Sequence, residues 1–450
     1  MITFDMAIPT AKRVIQRWNG YANLSEITII RDVFGRLGFL LSGTGNWNIR
    51  SLAACLQRDL GPYNAQRIFV ENSTNNELTK QMIAEIKRLR TETDSTPSCK
   101  WYLLERTIAK KAWTDFSGRT EPIWSYDDAK DGKQPKVITF YSFKGGMGRT
   151  TALAATAMLL ARHGRHVLMI DTDVEAPGLA TLFFDETQIL RGTVDFYLEA
   201  TANGGTAPNL SRYLRQINDP NLTAGMTGKL YMIPAGSLDT DYVQKLGRID
   251  YQDMIPNGMR DHLTLLVKSA ADFIRTNSQP LDYILLDARA GFHDMGGIVT
   301  TQLPHGAVLF GRNSTQSWNG LQQVIYALAT AQQDRLPIAI VDSMSRGTEQ
   351  HKQDFKRRAF TLCCDKYYAP DEPQPSIDAE NEAHTPIYIS YAPGLNEEVK
   401  LYSDGSPEQE AALEQTKSIL CGEEYRLIES RIRLWFGDEE EREATEVDGE

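Results

Sequence analysis

Cysteine is scarce, with five in 450 residues: Cys55, Cys99, Cys363, Cys364 and Cys421. Their number is odd, their positions are scattered, and no C-x-x-C pair occurs. That argues against a disulfide framework or a zinc site and fits a reducing compartment. Long apolar runs are missing too. No stretch approaches the ~18 to 20 apolar residues that span a bilayer, so membrane insertion is not expected. Near the start, Asp5, Lys12, Arg13 and Arg17 interrupt any apolar run, and no leader pattern forms. The expected location is cytoplasmic. There is no internal repeat. A strong basic excess is also lacking, because the net charge is −11. Residues 1–136 hold 20 Lys and Arg against 15 Asp and Glu, a balance of +5, which leaves −16 for the rest. A surplus of that size does not by itself imply nucleic acid.

What is present divides the chain. A length of 450 residues exceeds what one core usually serves. Residues 1–118 carry helical spacing at 11–18, 26–40, 49–60 and 77–90, with a short strand at 67–71 and a further helical stretch at 100–113. The expectation is a mainly helical N-terminal partner or output domain. Residues 119–136 lie in a stretch rich in turn formers and charge and read as a linker. Residues 137–436 alternate short apolar runs with helical segments, which predicts a mostly parallel, doubly wound α/β sheet covered on both faces. Residues 437–450 form an acidic tail; from Asp438 on there are eight acidic residues and one Arg, the composition of a solvated, disordered end.

The segment at 143–151 reads F-K-G-G-M-G-R-T-T, between a strand and an Ala-rich helix. Gly145, Gly146 and Gly148 let the backbone wrap phosphates with its amides inward, and the helix adds its positive end. Met147 and Arg149 complete the loop. Thr150 is placed to give its hydroxyl to magnesium, and Thr151 can touch the α-phosphate. Two strand ends supply acids. The run V-L-M-I-D-T-D ends in Asp171 and Asp173, and Y-I-L-L-D ends in Asp287, followed by A-R-A-G to Gly291. Carboxylates at strand ends suit a magnesium water shell.

These elements resemble the deviant Walker A ATPases of the MinD and ParA family, within the SIMIBI class of P-loop proteins, over about residues 136–395. The family pattern is K-G-G-x-G-K followed by Ser or Thr; here Arg149 replaces the second lysine. The resemblance implies ATP and Mg2+ as ligands and a homodimer closed across the nucleotide. It implies that Lys144 reaches the partner's nucleotide, that Asp173 orients the attacking water with Arg149 near the transferred phosphate, and that Thr150, Asp171 and Asp287 attend the metal. It also implies that Gly291 approaches the γ-phosphate. Arg289 stands where the D-x-P-A-G pattern has proline, and His293-Asp294 reads as a polar pair of the switch region. Asp342 stands where relatives carry a base-reading asparagine. Three functions are compatible: a slow ATP-hydrolysing switch acting on a protein partner through the N-terminal domain in partitioning, positioning or anti-phage defence; an ATP-binding scaffold that has lost hydrolysis; and a DNA-partitioning ATPase whose residues 49–70 form a helix-turn-helix. The amphipathic helix at 425–436 is expected to pack on the protein body rather than on lipid, because acidic residues follow it.

Overall fold

A computed structural model describes residues 2–45, 47–71, 76–116, 120–189, 191–249, 258–332, 334–369, 371–395 and 399–438. Nearly all of the expected acidic tail, 439–450, lies outside these, as do 117–119 of the turn-rich stretch. The chain divides into two compact units, Met1–Lys111 and Ala112–Glu450.

The first unit is not mainly helical. It holds a five-stranded sheet of β1 (Leu24–Arg31), β2 (Leu37–Gly43), β3 (Asn64–Val70), β4 (Thr91–Glu92) and β5 (Lys100–Glu105), in the order β3-β2-β1-β5-β4. β1 runs antiparallel to β2 and parallel to β5. Period-two alternation sends Ile27, Ile29, Phe39 and Leu41 to one face, under helices Phe4–Arg17 and Ile49–Leu60. Leu40 and Leu104 face the other way, toward Ile83 and Ile86 of helix Glu77–Leu89. Burial on both faces explains the misreading of 26–40 as helix: apolar residues fall on either side and imitate a helical spacing. The actual break is a turn, where Asp32 Oδ1 accepts the amides of Phe34 and Arg36 and Gly35 takes φ +82°. The expected helix at 100–113 is likewise β5 followed by a short turn of helix at Lys111–Thr114. Residues 49–70 form a helix and then β3, so there is no helix-turn-helix.

The second unit has the expected fold. Its strands are β6 (Lys136–Ser142), β7 (Val167–Asp171), β8 (Arg215–Ile217), β9 (Leu230–Ile233), β10 (Tyr283–Asp287), β11 (Gly306–Gly311), β12 (Ile338–Ser345) and β13 (Ile387–Ser390). Their order is β13-β12-β11-β6-β10-β7-β9-β8, and every pairing is parallel except β8 with β9. Apolar cores fill both faces. Helix Glu423–Trp435 buries Tyr425, Ile428 and Ile432 against this body, as expected. Among the described residues no helix is long and apolar enough to cross a membrane.

The stretch expected as a linker is strapped to the sheet. The Ile123 amide donates to the Leu303 carbonyl at 3.1 Å, and Ala129 is fully buried. His305 ties the strap down: its Nδ1 accepts the Val137 amide at 2.9 Å and its Nε2 donates to the Trp124 carbonyl at 3.0 Å. Those two partners require the neutral ring. Burial drives the His305 pKa down to about 4. A depressed histidine stabilises the fold fully above its unfolded pKa of about 6.5 and loses that stabilisation as pH falls toward the folded value. Urea unfolding between pH 7 and pH 4 is therefore expected to show a decline of about 3 kcal/mol from this residue. His305→Gln should flatten that part of the profile.

Candidate functional site

The carboxyl end of β6 runs into a loop at residues 143–148 and then into helix Arg149–Arg162. Gly146 and Gly148 take φ +70° and +66°, the left-handed region that a side chain resists. A Cβ built at Gly145, Gly146 or Gly148 would meet no atom within 4 Å, so open space lies beside all three glycines. The loop is held from behind. The Ser343 hydroxyl donates to the Met147 carbonyl at 2.5 Å, and Phe143 lies so close to Gly320 that a Cβ there would come within 2.1 Å of its ring. Ala152 to Ala161 of the helix are all buried, which fixes the direction of its amino end. A glycine turn running into the start of a helix is the setting in which backbone amides can cradle an anion.

Beside the cradle lies a set of acids. Parallel register sets Asp171 opposite Asp287 on neighbouring strands. Arg149, 8% exposed, bridges Asp287 and Asp173: its Nε donates to Asp287 Oδ1 at 2.5 Å and its Nη2 to Asp173 Oδ2 at 3.0 Å. Thr150 Oγ1 donates to Asp287 Oδ2 at 2.7 Å. Asp173 Oδ1 is buried without a hydrogen-bond partner. Asp171 is fully buried, and its oxygens accept the amides of Asp173, Gly178 and Leu179 at 3.0, 3.4 and 3.2 Å. Burial raises the Asp171 pKa well above the carboxylate range, and the charges of Asp287 and Asp173 add to the shift. Burial also raises Asp287, against the pull of Arg149 and Thr150.

The predicted residues thus converge, with two revisions. The Arg149 guanidinium, expected on phosphate, is shared between Asp287 and Asp173. The Asp171 carboxylate, expected near the metal, holds the loop that follows β7. Lys144 is exposed at the mouth, and Thr151 is half-buried in the first helical turn. Gly291 takes φ +77°, and its carbonyl accepts from the Tyr141 hydroxyl at 3.0 Å. As a test of fit to magnesium, the Thr150 hydroxyl and the Asp287 carboxylate lie together beside the cradle. That suits a hard cation that takes most of its ligands from phosphate and water.

Next to the loop, at the ends of β11 and β12, a cavity of about 490 Å³ is lined by Lys144, Met147, Arg312, Asn313, Asp342 and His351, among others. Asp342 is buried and paired with His351 Nε2 at 2.7 Å. Burial raises its pKa, while Ser345 and His351 oppose the shift. Arg312, Ser343 and His351 were not singled out from sequence. Arg312 directly follows a parallel strand, where ligands bind in such sheets, and that signal was available. His351 carries no motif.

The profile of the CobQ/CobB/MinD/ParA nucleotide binding domain matches residues 138–361. A putative septum site-determining protein MinD of Tupiella akineta is 34% identical over 82 residues, 18% of this chain and 27% of that protein. An uncharacterized ATP-binding protein of Methanocaldococcus jannaschii is 47% identical over 47 residues, 10% of this chain and 18% of that one. The chain therefore spans about a quarter or less of the length of these curated relatives. Among solved structures, pNOB8 ParA bound to nonspecific DNA aligns with a TM-score of 0.42 at 18% identity, covering 68% of this chain and all of the other. MinD of Pyrococcus horikoshii with Mg-ADP aligns at 0.38 and 18%, covering 69% and 98%.

Proposed function

Residues 138–361 are a P-loop domain of the MinD/ParA ATPase family, and from that premise we propose that the chain is an ATP-driven switch: it binds ATP with magnesium, closes with a second copy, hydrolyses slowly, and acts on a protein partner through its N-terminal unit. The observation that carries this reading is the open glycine cradle set beside Thr150, Asp173 and Asp287. The amides at 145–150 bind the phosphates, with the first helical turn behind them. Magnesium, when bound, would supply the positive charge that offsets the phosphates. Thr150 and Asp287, which lie together beside the cradle, would hold it. Asp173 Oδ1 is the free acceptor that orients the attacking water. Asp171 shapes the loop that carries Asp173 and acts on the metal only through that loop. Exposed Lys144 is free to reach a second copy. The cavity beside Asp342 takes the base.

A second reading is favoured by one contact. Arg149 already holds Asp173 Oδ2, and an aspartate so tied is a poorer guide for water. On that reading the chain binds ATP as a scaffold and does not turn it over. Phosphate release on wild type and Asp173→Ala separates the two. The switch predicts a fall of about a hundredfold or more in the variant with ATP binding kept. Equal background rates would leave the scaffold. Sedimentation velocity of the wild type with and without ATP reads the closing step.

A further inference from the structure

We infer that Glu175 is a positioning residue that fastens the Asp173 loop to the Gly291 segment, so that the two answer to nucleotide as one body. The inference rests on the ATP-switch reading for its consequence but not for its geometry. Glu175 stands two residues after Asp173 in the turn that follows β7. Both of its carboxylate oxygens lie within ion-pair distance of the other segment. Oε2 lies 2.6 Å from Arg289 Nη1, and Oε1 lies 2.6 Å from His293 Nε2. Arg289 comes two residues before Gly291 and His293 two after it, so one carboxylate straddles the glycine.

Both segments are anchored elsewhere as well. The Tyr242 hydroxyl donates to the Val174 carbonyl at 2.7 Å, and the Tyr141 hydroxyl donates to the Gly291 carbonyl at 3.0 Å. Trp113 Nε1 donates to the His293 carbonyl at 2.8 Å, and its ring meets Phe292 edge to face at 5.4 Å. Phe292 in turn lies 5.2 Å from Phe143, which opens the phosphate loop. Movement at the phosphates therefore has a packed route to Gly291, and Glu175 carries it across to Asp173. The Glu175 side chain is 38% exposed, so the pair adds little to stability and its effect is geometric. A proline at 289, as in the D-x-P-A-G pattern, could not make this contact.

The test uses the full chain and two readouts. Hydrogen exchange without nucleotide is followed in peptides covering 173–179 and 288–293, and turnover is measured with ATP and magnesium. Glu175→Gln is expected to speed exchange in both peptides by about fivefold and to lower kcat by about fivefold, with the KM for ATP within about twofold. Arg289→Met should match it, and Arg289→Lys should recover much of what Arg289→Met loses. Unchanged nucleotide affinity in these variants shows that they fold. Faster exchange confined to 173–179, or a wild-type kcat in Glu175→Gln, would overturn the inference. If the wild type takes up no ATP yet both peptides respond together, the coupling stands and the functional reading falls.

Discussion

Arg149→Ala is expected to destabilise the second unit by about 3–5 kcal/mol, because it strips the counter-charge from a buried acidic site. Among the described residues Arg149 is the one cation bonded to Asp287 and Asp173, and Asp171 stands opposite Asp287 in register. Without it three carboxylates face one another in a low-dielectric interior, and like charges there disfavour ionisation. The effect has a pH signature. The folded-state pKa values of Asp171 and Asp287 are already raised. For a raised acid, the native state holds its proton longer than the unfolded chain. That stabilisation is complete below the ordinary carboxylate pKa of about 4 and is lost as pH rises through the folded value. Removing the arginine raises those values further, so the deficit should be small near pH 4 and largest at neutral pH. Arg149→Lys keeps the charge but loses the forked geometry and should lose only about 1 kcal/mol. Urea unfolding of the three proteins across pH checks this. An alanine variant within about 1 kcal/mol of wild type at pH 7 would mean that Arg149 is not the counter-ion.

Asp287→Ala carries the next largest effect. It removes the carboxylate that faces Thr150 at 2.7 Å. Groups that hold a metal through water or through another ligand typically change affinity by about 10–100-fold when lost. Binding of ATP in the presence of magnesium should weaken by that factor. Binding of ATP in excess chelator should stay level or improve, because a negative charge has left the cradle. A fluorescent ATP analogue titrated with and without magnesium separates the terms. Equal weakening in both titrations would place Asp287 outside the metal's reach.

The phosphate loop was legible because its chemistry is contiguous: a strand, Gly145, Gly146, Gly148 and a threonine pair follow one another. Asp171 and Asp287 were legible as strand ends. Their final partners were not, since these depend on strand register. Only the pairing of β7 with β10 brings Arg149 between Asp287 and Asp173 and turns Asp171 onto loop amides. The Glu175 bridge spans more than a hundred residues of sequence and has no local signature. In the N-terminal unit, strands buried on both faces erased the alternation that would have marked them. The supposed linker misled through its composition. Turn formers and charges predict loop, but Ile123 at 6% exposure and fully buried Ala129 hold that stretch against the sheet.

The central claim is a triphosphate cradle completed by magnesium. Calorimetric titration of ATP into the full chain, with magnesium and then with chelator, addresses it most directly. One site per chain, with affinity about tenfold or more stronger when magnesium is present, is the predicted result. Heat no greater than dilution in both titrations, with GTP as silent as ATP, would contradict it.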